Sequence, residues 1–61
     1  MGEYERKVMK VMLMYILDVK KFEFVVDNDN EISFILGNQE LTTADKTPEE
    51  VQEILHQVIR W

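Results

Sequence analysis

The chain has 61 residues, 46% hydrophobic and 31% charged, with 12 Asp/Glu against 7 Lys/Arg for a net charge of −5, and no cysteine. So short a chain holds one domain near the lower size limit for a single hydrophobic core, with little room for an enclosed pocket. The missing cysteines exclude a disulfide framework, a thiolate zinc site and thiol redox chemistry, which fits a reducing cytoplasm.

Charge is unevenly spread. Residues 1–21 carry five Lys/Arg against three Asp/Glu, a balance of +2, whereas residues 22–61 carry two against nine, a balance of −7. General nucleic-acid affinity comes from Lys and Arg displacing counterions from phosphates, so direct nucleic-acid binding is not expected. A basic protein is the easier electrostatic match. The longest apolar run, Val11–Leu17, is too short to cross a bilayer, and Glu3 and Glu5 spoil a signal-peptide n-region. Arg6 stands where an N-myristoylation motif beginning at Gly2 needs Ser or Thr. The expectation is an untargeted, soluble, cytoplasmic protein with no membrane partner.

From Tyr4 the apolar positions Tyr4, Val8, Val11, Met12, Tyr15 and Val19 fall on one helical face, which predicts an amphipathic helix over about residues 3–19. The period then changes to two. Phe22, Phe24 and Val26 form one alternating set and Ile32, Phe34 and Leu36 another, so both segments read as strands. Pairing Val26 with Ile32, Phe24 with Phe34 and Phe22 with Leu36 keeps all six on one face and centres the turn on Asp29.

That turn, Asp27-Asn28-Asp29-Asn30, invites a calcium reading. An EF-hand loop counted from Asp27 would need Gly sixth and Glu twelfth, and those positions hold Ile32 and Asn38. A type I turn closed by a left-handed Asn30 fits better, with Asp27 accepting hydrogen bonds from the backbone ahead of it. Gly37-Asn38 is a second hairpin signal, because Gly supplies a positive φ. It sets Leu41 opposite Phe34 and makes 39–43 a third strand.

The last helix, 48–60, has the fullest set of signals: Thr47 to cap it, Pro48 at the first helical position, and Glu50 to complete a capping box. Its apolar stripe is Val51, Ile54, Leu55, Val58 and Ile59. Trp61 is expected either to fold back onto the sheet edge or to mark a truncated end. The fold class expected is α+β: a single domain over 1–61, made of helix, three-stranded antiparallel meander and helix, with both helices on one sheet face.

Little in this layout points to chemistry. Phe22, Phe24 and Phe34 could form a base-stacking platform, but the face lacks interleaved Arg or Lys and is needed for the core. Glu53 and His56 have the spacing of a bundle metal ligand pair, yet they point away from the apolar stripe and lack the further carboxylates such sites need. One His and one Ser, unlinked by motif, are thin material for nucleophilic catalysis. No enzyme activity, metal or cofactor is expected.

The first helix holds a surplus of apolar residues. If the face carrying Tyr4 to Val19 covers the sheet, then Met9, Leu13, Ile16 and Leu17 lie roughly 80–180° around from Val8, with Met14 as a further edge. Such a helix must be buried nearly all round. The expected reading is a protein–protein interface at Met9, Leu13, Met14, Ile16 and Leu17, joining a homodimer or docking another protein. The competing reading is that the second helix packs on this side. The alternative function is an acidic decoy, in which Asp27, Asp29 and Glu31 imitate phosphates toward a nucleic-acid-binding protein.

Overall fold

The computed structural model describes residues 2–61. It contains α1 (Gly2–Val19), β1 (Phe24–Val26), β2 (Ile32–Leu36), β3 (Gln39–Thr42) and α2 (Pro48–Arg60). The expected helix–strand–strand–strand–helix order is found, and no described helix is long and apolar enough to cross a membrane.

The ends of α1 show how its limits are set. Glu3 and Glu5 sit in the first turn, where carboxylates complement the positive end of the helix dipole. At the other end, Phe22 N–H donates to Leu17 O at 2.9 Å and Lys21 N–H to Asp18 O at 3.1 Å, with Lys21 at φ 68°. That is a Schellman stop with lysine where glycine is usual. The stop also shortens β1, which begins at Phe24 rather than Phe22; the Phe22 ring instead meets Phe34 edge-on at 6.3 Å.

The sheet is antiparallel in the order β1-β2-β3, with Phe24 opposite Phe34, Val26 opposite Ile32, and Phe34 opposite Leu41, the register expected from alternation. In the first turn Asp27 Oδ1 accepts from Asp29 N–H at 2.8 Å and Glu31 N–H at 3.0 Å, and Asn30 adopts φ 63°. In the second turn Gly37 has φ 65°. Thr47 caps α2 through the full capping box with Glu50. Trp61 closes the end of α2 by donating its N–H to Gln57 O and Val58 O, and its ring lies over Gly37, on the β2–β3 turn rather than along a sheet edge.

The two helices run parallel, side by side on one face of the sheet. A Cβ at Gly2 would lie 3.9 Å from Pro48 Cγ, while at the far end Lys20 Nζ donates to Ile59 O at 2.8 Å. Between helices and sheet lies one core of Leu13, Leu17, Ile32, Phe34, Leu36, Ile54, Leu55 and Val58, with Phe22, Phe24 and Leu41 packed at its border. Ile59, expected in the α2 stripe, is instead half exposed.

The division of α1 is the reverse of the one expected from sequence. Leu13 and Leu17 are 0% exposed in the protomer's own core, and Met9, Met14 and Ile16 pack against it. These five residues were the expected interface, and they are occupied from within: α2 lies on that side. On the face expected to cover the sheet, Tyr4, Val11, Met12, Tyr15 and Val19 are exposed and Val8 is half-buried.

Candidate protein interface

Two cations sit within the buried face of α1. By helical rotation Arg6 lies between Leu13 and Leu17 in angle and Lys10 about 20° beyond Leu17, so both need partners. Arg6 Nε donates to Lys46 O at 2.8 Å, and Arg6 Nη2 to Thr43 O at 2.7 Å and to Glu31 Oε1 at 2.8 Å. Lys10 Nζ reaches Asn30 O at 3.1 Å and Glu31 Oε2 at 3.4 Å. Thr43, fully buried, donates its hydroxyl to Glu31 Oε1 at 2.6 Å and accepts from Ile32 N–H at 2.9 Å. Partial burial works to raise the Glu31 pKa. The hydrogen bonds from Thr43 and Arg6 and the charges of Lys10 and Arg6 outweigh it and hold the carboxyl below its ordinary value.

This network ties the start of α1 to both ends of the hairpin, and it removes material from the acidic-loop idea. Of Asp27, Asp29 and Glu31, the first caps its own turn and the third turns inward onto Arg6, Lys10 and Thr43. Asp29 alone of the three keeps a carboxylate not engaged in these bonds. The other sequence candidates are dispersed. Glu53 pairs loosely with Arg60 at 3.4 Å on the exposed side of α2, where His56 also lies, and Phe34 is a core residue. Ser33 sits on the outer sheet face with its hydroxyl donated to Thr42 Oγ1 at 3.2 Å.

What the fold leaves uncovered is the outer face of α1. Tyr4, Val8, Val11, Met12, Tyr15 and Val19 fill an arc of about 100° on the helix, and no polar residue of α1 falls inside that arc. Its centre is about 170° from that of Leu13 and Leu17. Tyr4 is 73% exposed, Tyr15 68%, Val11 57% and Val19 55%. Along the axis the run Tyr4, Val8, Val11, Tyr15 is spaced four, three, four, the spacing of a helix–helix seam. On one flank the stripe opens into a groove of about 590 Å³ between α1 and the β1–β2 hairpin, where Tyr4, Val11, Met14 and Val26 meet Arg6, Lys7 and Lys10.

A second apolar area, on the outer face of the sheet, is weaker. Val25 and Ile35 are exposed there, but they share the face with Ser33, Glu40 and Thr42, as is usual for an antiparallel sheet solvated on one side. No family model, curated protein or solved structure matches the chain.

Proposed function

We propose that this chain is a small protein–protein interaction module that self-associates through the outer face of α1. One observation carries the reading: α1 is apolar on two opposite sides, and only one of them meets the protomer's own core. A contiguous exposed apolar stripe on a protein of this size is a surface waiting to be covered. A second copy is the occupant best supported, because a two-fold pair buries the same patch twice and adds to a core that is small for an independent fold.

A binding rather than a catalytic role is supported by the scatter of the chain's one His and one Ser, on the exposed side of α2 and the outer sheet face. The acidic-decoy alternative is weakened by the internal engagement of Asp27 and Glu31.

Sedimentation velocity tests the proposal. The native chain is expected to sediment as a dimer at tens of micromolar, and Val11→Glu as a monomer with an unchanged circular dichroism spectrum, since Val11 contributes nothing to the protomer core. A native chain that stays monomeric at that concentration refutes it.

A further inference from the structure

We infer that the two copies pair their α1 helices antiparallel about a two-fold axis level with Val11 and Met12, so that residue i faces residue 23 − i of the partner. The inference rests on the self-association proposed above and adds its geometry. Two observations point to it.

The first is size. Antiparallel pairing at this level sets Tyr4 against Val19, Val8 against Tyr15, and Val11 against Met12, a larger side chain opposite a smaller one at every level. The helix–helix separation, which follows the side chains at the contact, is then even along the seam. Parallel pairing in register would stack Tyr on Tyr and Val on Val, wedging the helices apart at two levels and leaving gaps at the others.

The second is charge. The first turns of α1 carry Glu3 and Glu5; its last turn carries Asp18 and no basic residue, and Lys20 and Lys21 follow it, with Lys20 hydrogen-bonded to Ile59 O. An antiparallel pair lays the acidic start of each helix against the lysines that follow the other; a parallel pair lays like against like at both ends. On the flank that stays on the same side through the two-fold rotation, Lys7 of one copy comes within about 3 Å along the axis of the level of Asp18 of the other. Asp18 is thereby delivered to the groove beside Lys7, whose other charged lining is Glu3, Asp29 and the Glu31-paired Arg6 and Lys10. Antiparallel pairing also opposes the helix dipoles of the two copies, which within each protomer are aligned because α1 and α2 run parallel.

The chain has no cysteine, so engineered disulfides can read out the orientation without background. Val8→Cys and Tyr15→Cys are prepared separately; both sites are on the outer stripe and outside the core, and circular dichroism checks the fold of each. In the antiparallel pair the two copies of residue 8 are about 10 Å apart along the axis, beyond disulfide reach, whereas residue 8 faces residue 15. Each variant alone should therefore stay unlinked under mild oxidation, and an equimolar mixture should give the mixed disulfide as the main covalent dimer. Homodisulfides from the separate variants, with no preference for the mixed species, would overturn the antiparallel arrangement, as would no cross-linking of any kind in a protein that sediments as a dimer. A native chain that sediments as a monomer would instead remove the underlying self-association. As a check free of cysteine, Lys7→Glu should weaken the dimer roughly 2- to 30-fold, counting one exposed ion pair twice, and adding Asp18→Lys should restore it. Failure of the second change to restore association contradicts the register.

Discussion

Thr43→Val is a nearly isosteric change that deletes one hydroxyl at the centre of the α1–hairpin network. Thr43 is 0% exposed, and its Oγ1 makes two bonds, accepting from Ile32 N–H and donating to the Glu31 carboxylate. Removing the acceptor strands a buried backbone N–H, which costs about 1–3 kcal/mol, and the bond to a charged carboxylate is worth about 1.5–3 kcal/mol. The two losses share one atom and are not additive, and valine returns some apolar contact, so the expected destabilisation is about 2–4 kcal/mol. For 61 residues the total stability is on the order of 3–9 kcal/mol, so the variant should lose a large part of it. Urea denaturation followed by far-ultraviolet circular dichroism gives the number directly. Native and variant chains must be compared at one protein concentration, because association adds to apparent stability. A loss below about 0.5 kcal/mol, the range of an ordinary surface substitution, would refute the claim that this hydroxyl organises the network.

Three further outcomes follow from the same geometry. The Glu31 pKa is held below its ordinary value, so its contribution to stability is present above the unfolded-state pKa and is lost as pH falls through the lower folded one. Native stability should therefore fall below about pH 4.3, and the fall should be shallower in Glu31→Gln, as measured by urea titrations from pH 6 to pH 2.5; an unchanged acid slope would contradict the assignment. Lys21→Gly should stabilise by up to ~1 kcal/mol, seen as a rise in Tm, because a left-handed conformation costs lysine about 1–2 kcal/mol against about 0.5–1 kcal/mol of added glycine entropy. A lower Tm would mean that the helix stop is held by something other than its backbone. Gly37→Val should destabilise by about 2 kcal/mol or more, since a β-branched residue is strained at φ 65° and its Cβ would approach the Trp61 ring at 3.2 Å; a neutral result in urea titration would contradict the turn.

Most of the fold was legible in the sequence because its signals are local. Asp27 and Asn30 announced their turn, Gly37 the second, and Thr47, Pro48 and Glu50 the start of α2. The helix stop at Lys21 was not legible, since lysine carries no left-handed signature. The orientation of α1 was misread for a physical reason. Periodicity finds apolar arcs but cannot say which one faces the protomer's own core when a helix has two, so the side buried under α2 was read as an interface to another chain. A cue was present: a guanidinium at the same angle as Leu13 and Leu17 requires a carboxylate brought from elsewhere, and Glu31 is that group. Thr43, which completes the arrangement, gave no sign of itself, since its role depends on contacts between the sheet and a helix nearly forty residues away.

In the proposed dimer α1 is a shared wall, with Leu13 and Leu17 facing its own core and the stripe from Tyr4 to Val19 facing the second copy. This arrangement is tested most directly by isotope-filtered NOE spectroscopy on an equimolar mixture of ¹³C-labelled and unlabelled chains. Intermolecular NOEs are expected from the methyl groups of Val8 and Val19 to tyrosine ring protons of the partner and from those of Val11 to the partner's Met12, and none from Leu13 or Leu17. A mixture with no intermolecular NOE at the outer stripe, or with NOEs arising from Leu13 and Leu17 instead, would contradict it.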